Sequence, residues 1–409
     1  MYVVFLAHTF LGEGVCPSGV SNYVANMAQA LIEHGHRVTV ITEGKEEKEY
    51  QWNRVKVYQI RATGNMKDTG RKMTVSQKVY KNLLRTYYYN KKVEELHRLD
   101  KVDLVQCVNS YGIGILRSKK MPYLVRISDY GPLWGGARQQ EYDMQKCLRS
   151  HRLDEEMQLI ALKRANRVIA PSKLISEIVG KRIHKEIGVV ESPVSIDAAQ
   201  IRDVKYNESL GITSGKYWIT FGGMTHRKSI YMLAQIIDQL LDCYPDMKYV
   251  MVGKDRENVC DGEYMRASKL FEKYIVKNRD RFIFTGEISD RPYLFELVKN
   301  AKFCILPTRV DNFPNAVIEA MALGKIVISS DKTSVEQIIT DGYNGFLTQI
   351  DDGDELFARI RYVMDLSNEE MSCIEAKAKE RVIELAPEKV YEKMIAVYEE
   401  TIKRYHNKS

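Results

Sequence analysis

Long apolar runs are missing from this 409-residue sequence. No stretch reaches the roughly 20 consecutive apolar residues of a membrane-spanning helix, so an integral helical membrane protein is excluded. The opening MYVVFLAHTF has no basic flank and is short, and it reads as a first strand and not as a signal peptide. Cysteine is sparse and unpaired in pattern. The seven residues, an odd number, include no C-x-x-C, which disfavours a disulfide frame and fits reduced thiols in the cytoplasm. Internal repeats, Cys/His zinc spacings, low-complexity segments and a D-x-D loop in a strand context are also absent, so solenoids and zinc modules drop out. What remains is 44% hydrophobic and 28% charged, the composition of a soluble globular protein. The length exceeds one ordinary core and implies two domains.

Charge is unevenly spread. Residues 1–200 carry 31 Lys and Arg against 21 Asp and Glu, whereas residues 201–409 carry 30 against 33. The basic half either faces something anionic or only stays soluble. Within it, residues 71–98 (RKMTVSQKVYKNLLRTYYYNKKVEELHR) read as a basic, aromatic helix. Val75, Val79 and Leu83 are expected on a core face, with Lys78, Lys81, Arg85, Lys91 and Lys92 solvated. Tyr87, Tyr88 and Tyr89 are amphipathic side chains of the kind favoured at a membrane interface. An anionic bilayer is therefore one expected partner of this face, each basic residue near it contributing about 1 kcal/mol; a plain solvated face is the alternative. Nucleic acid is not expected, since no dedicated motif accompanies the charge.

Strands and helices alternate along both halves, which implies an α/β protein with two doubly wound, Rossmann-like domains. Residues 2–7 form a first strand, a glycine-bearing loop follows, and a helix over 20–34 presents Val24, Met27, Ala28 and Leu31 on one face. Further strands are expected at 38–41, 104–108, 123–127 and 166–170, with a linker over 192–215. The second half begins with a strand at 217–222, a loop FGGMTHRKS and a helix over 229–242. A glycine-bearing loop with Lys228 at a helix start suits phosphate binding without a metal ion. Strands at 249–253, 282–286 and 303–307 follow. The acidic cluster Asp351, Asp352 and Asp354 precedes a helix and reads as N-terminal capping, not as a metal site.

The most informative stretch is 303–330, FCILPTRVDNFPNAVIEAMALGKIVISS. It reads as strand, polar loop, short helix with Pro314 at its first position and Gly324 as its stop, then strand. Such a unit delivers a helix N-terminus to the carboxyl end of a parallel strand, where α/β sheets bind ligands. Asp311 and Glu319, eight residues apart, supply acceptors suited to a polyhydroxylated ligand that carries phosphate.

This stretch resembles the donor-site signature of retaining GT-B glycosyltransferases of family four, in which an acidic residue, seven others and Glu lead into E-A-M-A-x-G. Here it is Asp311, then Glu319, Ala320, Met321, Ala322, Leu323 and Gly324. The resemblance implies the GT-B architecture: an acceptor-binding domain over 1–195, a nucleotide-sugar-binding domain over 196–385, and a C-terminal helix over 386–409 crossing back to the first. The two domains are expected to face a cleft. It further implies that Asp311 approaches the sugar hydroxyls and Glu319 the ribose hydroxyls. Lys228 would hold the diphosphate, and the backbone near Asn312, Phe313 and Asn315 would position the sugar.

Gly286, Glu287 and Ile288 resemble the segment that packs on the base, and Gly19, after Pro17 and Ser18, resembles a glycine that keeps the backbone close to the ligands. Three departures stand out. Gly222 is followed by Gly223 where relatives carry Arg, leaving Arg227 or His226 to replace it. Ser128 stands where many relatives have a His, with Asp129 beside it either contacting the acceptor or serving as a cap. Ser18 replaces one glycine. The expected activity is transfer of a sugar from a UDP- or GDP-sugar to a saccharide or lipid-linked saccharide, with retention and no metal cofactor. The setting would be cytoplasmic, at the inner face of the cell membrane. A non-catalytic nucleotide-sugar binder and a nucleotide-sugar epimerase are the alternatives.

Overall fold

The structure is a computed structural model that describes residues 1–12, 18–62, 74–149, 153–194 and 206–407. The chain divides into two compact units. The first comprises Met1–Pro132, Arg149–Ser195 and Leu385–Ser409; the second comprises Leu133–Leu148 and Ile196–Glu384. A single cut at residue 195 is therefore too simple, because residues 133–148 gather on the second unit. Pro17 lies outside the described residues, as do residues 195–205 of the expected 192–215 linker, whose residues from 206 begin with a short helix, Tyr206–Ser209.

The first unit is built on an eight-stranded sheet: β1 (Tyr2–Leu6), β2 (Arg37–Glu43), β3 (Lys48–Trp52), β4 (Val55–Ile60), β5 (Leu104–Val108), β6 (Tyr123–Arg126), β7 (Arg167–Ala170) and β8 (Gly188–Val189). Its order is β3-β4-β2-β1-β5-β6-β7-β8, parallel throughout except for the antiparallel β3–β4 hairpin. That hairpin was not anticipated; its two short strands carry too many charges to read as core. The Gly19–Glu33 helix buries Val24, Met27, Ala28 and Leu31 as the 3.6-residue period requires. The Pro387–His406 helix packs Val390, Tyr391, Met394 and Tyr398 into the same core. Tyr391 stacks on His34 at 3.7 Å, and the Tyr398 hydroxyl donates to Gln106 Oε1.

The Val75–Leu99 helix is present, but its expected orientation is wrong. The buried face is Asn82, Arg85, Thr86, Tyr89, Val93 and Leu96, while Val75 and Leu83 are exposed. Arg85, expected in solvent, is 7% exposed and ion-pairs with Glu43 at 2.5 Å. A buried guanidinium requires such a partner, and Glu43 at the end of β2 provides it. Tyr89 is likewise buried, donating its hydroxyl to the Ala7 carbonyl at 2.8 Å, which removes it from the expected surface stripe.

The second unit holds β9 (Tyr217–Phe221), β10 (Lys248–Val252), an antiparallel hairpin of β11 (Glu257–Cys260) and β12 (Glu263–Arg266), then β13 (Phe282–Gly286), β14 (Cys304–Ile305), β15 (Val327–Ser330) and β16 (Phe346–Thr348). The main sheet is parallel with the order β13-β10-β9-β14-β15-β16. Counted along the chain within that sheet, this is the order 3-2-1-4-5-6 of a doubly wound nucleotide-binding fold. One face is covered by the Ile230–Cys243, Ala267–Tyr274 and Gly353–Met364 helices, whose Leu233, Ile237, Leu270 and Leu356 share a core with Trp218, Phe303 and Phe346. Asp352 caps the last of these helices, its carboxylate accepting from the Glu355 N–H at 2.8 Å. Asp351 instead meets Arg309 Nε at 2.7 Å.

Candidate functional site

In the second unit the strand order reverses between β9 and β14, and the loops at their carboxyl ends carry the sequence's candidate ligand groups. Parallel α/β sheets bind ligands at such a point because the two outgoing chains diverge and leave a crevice. The loops are packed backbone to backbone. Gly222, at φ 123°, donates to Val252 O at 3.0 Å, and Gly253 N donates to Gly286 O at 2.9 Å. A Cβ on Gly253 would lie 1.8 Å from Gly222 O, so glycine there is a steric necessity. No atom crowds the Cβ positions of Gly222, Gly223 and Gly286, leaving that side of each turn open. Glu287 is exposed and Ile288 half-buried.

The structure brings together Lys228 and Asp311, which lie 83 residues apart. Lys228 Nζ donates to Asp311 Oδ2 at 2.9 Å, with both side chains 16% exposed. Ser229, in the left-handed region at φ 48°, turns the chain from the Lys228 loop into the Ile230–Cys243 helix. The two loops are also tied by backbone: Arg227 O accepts from Arg309 N at 2.9 Å and from Thr308 Oγ1 at 3.1 Å. Arg227 is half-buried beside them, and burial lowers its pKa against the opposing attraction of Asp311. His226 is fully buried, its Nε2 2.9 Å from Val259 O. Its backbone follows the glycines, while its ring is buried in the core.

The signature helix runs Asn315–Ala322 with Pro314 as its cap residue, one position earlier than expected. Pro314 has φ −85° and ψ 72°, outside helical values. Glu319 is 17% exposed, and its Oε1 accepts from Arg291 Nη2 at 2.7 Å. Arg291 was not singled out: it begins another helix (Arg291–Asn300), and no local pattern ties it to Glu319. Asn312 and Phe313 are buried. The Asn315 N–H donates to Phe313 O at 2.9 Å.

The first unit places the remaining candidates. Gly19 is exposed at the start of its helix, where Ser18 is the N-cap in a reciprocal capping box with Ser21; Ser18 in place of glycine is thereby explained. Asp129 follows β6, and its Oδ1 accepts from Ser110 Oγ at 3.4 Å. Burial raises its carboxyl pKa. The turn is held by Asn109, which sequence reasoning missed: its Oδ1 accepts from Ser128 N at 2.7 Å and its Nδ2 donates to Asp129 O at 2.7 Å. His8, after β1, packs edge-on to Tyr111 at 5.3 Å, and burial first, then Arg85, pushes its pKa down to about 4.

Two family models match the chain: Glycosyltransferase Family 4 over residues 17–198 and Glycosyl transferases group 1 over residues 205–380. An uncharacterised glycosyltransferase of Methanocaldococcus jannaschii is 23% identical over 353 residues, 80% of each chain. A phosphatidyl-myo-inositol mannosyltransferase of Mycolicibacterium smegmatis is 24% identical over 211 residues, 51% of each. Among solved structures, sucrose-phosphate synthase of Thermosynechococcus elongatus superposes with a TM-score of 0.75 at 17% identity, covering 98% of both chains. HepE of Anabaena in complex with UDP-glucose gives 0.67 at 17%, covering 98% of this chain and 100% of the other. With its two parallel α/β sheets and both family domains, the chain belongs to the group 1 glycosyltransferases of family four and has the GT-B fold.

Proposed function

We propose that the protein transfers a sugar from a nucleoside diphosphate sugar to an acceptor hydroxyl, with retention of configuration and without a bound metal ion. The observation that carries this reading is the Lys228–Asp311 pair at the point where the strand order reverses. As the glycosidic bond breaks, negative charge accumulates on the departing diphosphate while the sugar becomes electron-poor. Lys228 and Arg227 supply fixed positive charge for the first, in the role that a divalent ion fills elsewhere. Asp311 then accepts from sugar hydroxyls, and Glu319, steadied by Arg291, accepts from the ribose. Asp129, in the first unit, is the candidate contact for the acceptor hydroxyl. UDP-glucose in the HepE structure supports a nucleotide sugar as donor.

For the acceptor, a saccharide carried on a lipid is favoured by the mannosyltransferase relative that acts on phosphatidyl-myo-inositol. The Val75–Leu99 helix adds to this: it exposes Tyr80, Leu83 and Tyr87, at i, i+3 and i+7, beside the exposed Lys78 and Lys91, a face suited to an anionic bilayer. No helix among the described residues is long and apolar enough to cross a membrane. On this reading the reaction serves surface polysaccharide or glycoconjugate synthesis at the inner face of the membrane.

The test is a panel of UDP-, GDP-, ADP- and CDP-sugars, scored for nucleotide release with and without EDTA and for product anomer by NMR. A donor turned over equally with chelator, giving the retained anomer, is the expected result. Abolition by EDTA removes the metal-free mechanism, an inverted anomer removes retention, and binding without turnover identifies a sensor.

A further inference from the structure

Residues 133–148 gather on the second unit although the segments that flank them directly, up to Pro132 and from Arg149 to Ser195, belong to the first. Their tie to it is specific. Arg309, 3% exposed, donates from Nη2 to Gln140 O at 2.7 Å and from Nη1 to Gln139 O. The Gln140 side chain bonds Asp261 at the tip of the β11–β12 hairpin, through Nε2 to Oδ1 at 2.9 Å and through Oε1 from the Asp261 N–H at 2.6 Å. A buried guanidinium that caps two consecutive carbonyls fixes the segment's position relative to the 307–315 loop, because Arg309 is itself part of that loop.

Thus anchored, the segment presents Trp134 to two of the donor-site residues at once. The indole ring lies under the Arg227 guanidinium, 3.8 Å from its carbon. Its Nε1 donates to Asn312 Oδ1 at 3.3 Å. Stacking engages the flat face of a guanidinium and leaves its N–H edge unoccupied. Among the described residues Arg227 makes no ion pair and its side chain no hydrogen bond. A half-buried cation, fixed by its face and unsatisfied along its edge, is poised for an anion that brings oxygen acceptors in pairs, as a diphosphate does.

We infer that Trp134 is a positioning residue for the donor site: it orients Arg227 onto the diphosphate through its ring face and Asn312 toward the sugar through its N–H. This rests on the reading that Arg227 and Lys228 hold the donor diphosphate, and it adds an indole from a distant segment as the part that makes Arg227 effective. The two contacts predict separable losses. Trp134→Leu removes both; Trp134→Phe keeps an aromatic face and removes only the hydrogen bond.

The experiment is calorimetry with UDP and with GDP on the wild-type chain, Trp134→Leu, Trp134→Phe, Arg227→Gln and the double variant Trp134→Leu/Arg227→Gln, with thermal unfolding of each free protein. For whichever nucleotide binds, Trp134→Leu is expected to weaken affinity about tenfold, the size of a partly desolvated cation–π contact. In the Arg227→Gln background the same change should add less than about twofold, because the residue acts through Arg227. Trp134→Phe should hold nucleoside diphosphate affinity within about threefold while raising KM or lowering kcat for the sugar-bearing donor. Additive losses at Trp134 and Arg227, or an unchanged affinity in Trp134→Leu when Arg227→Gln weakens binding, would overturn the inference alone. No loss from Arg227→Gln, or no binding of either nucleotide to the wild type, would overturn the diphosphate reading and the inference with it. Should Trp134→Leu lower the unfolding temperature of the free protein, Trp134→Phe still decides, since a structural role gives no KM-against-kcat split.

Discussion

Asp311→Asn separates the two duties that the Lys228–Asp311 pair performs. The substitution keeps size and an oxygen acceptor and removes one charge. In the free protein Lys228 Nζ sits 2.9 Å from the carboxylate, so an arriving diphosphate must share that ammonium or displace the carboxylate from it. Direct attraction at this separation is on the order of 6 kcal/mol at an effective dielectric of about 20. Most of it is cancelled by hydration that both groups give up, and charge-assisted hydrogen bonds of this kind are worth about 1.5–3 kcal/mol net. Releasing Lys228 should therefore tighten binding of the sugar-free nucleoside diphosphate by about tenfold, each factor of ten being about 1.4 kcal/mol. Turnover should move the opposite way. Without the carboxylate the sugar hydroxyls lose their strongest acceptor, and kcat should fall at least about tenfold. Calorimetry with UDP and GDP, together with single-turnover nucleotide release, reads both. Weaker diphosphate binding in the variant, or an undiminished kcat, would refute the idea that one residue restrains Lys228 and engages the sugar.

Lys228→Ala should lower kcat/KM at least about tenfold; unchanged kinetics of nucleotide release would take Lys228 out of the mechanism. Gly253→Ala drives a methyl to 1.8 Å from Gly222 O and 2.8 Å from Met224 Cε; an overpacking cost of about 1–3 kcal/mol or more is expected, lowering the unfolding midpoint by several degrees and loosening nucleotide binding. His8 yields a pH signature with a definite sign. Its folded pKa, about 4, lies below its ordinary 6.5, so the neutral form belongs to the folded state and protonation favours unfolding. Its contribution is full above pH 6.5 and is lost as pH falls toward 4, so His8→Gln should flatten that part of the stability profile. Flotation with anionic liposomes should show salt-sensitive binding that is lost when Lys78 and Lys91 are replaced by Glu; salt-independent binding would count against the charged face.

Much of this protein was legible because it is written locally. The β9 loop and the 303–330 unit are short segments whose apolar runs, glycines and helix start state a strand–loop–helix in their own residues, and the spacing of Asp311 and Glu319 is read along a single loop and helix. The burial of Val24, Met27, Ala28 and Leu31 follows equally from period alone. By contrast, the Val75–Leu99 helix was recognised and misoriented. Leu83 looks apolar and Arg85 looks solvated, yet the helix turns Asn82, Tyr89 and Leu96 inward, because Glu43 on β2 neutralises Arg85 and no sequence window contains both residues.

The same limit governs the candidate site. Sequence by itself determined which residue types stand at the carboxyl ends of the strands, since strand, turn and helix propensities act over a few residues. Only tertiary structure decided who meets whom: Lys228 with Asp311, Arg291 with Glu319, Trp134 with Arg227 and Asn312. Ion pairs, stacks and hydrogen bonds act over a few ångströms of space, and the chain separations they bridge are set by strand order, which no local pattern encodes.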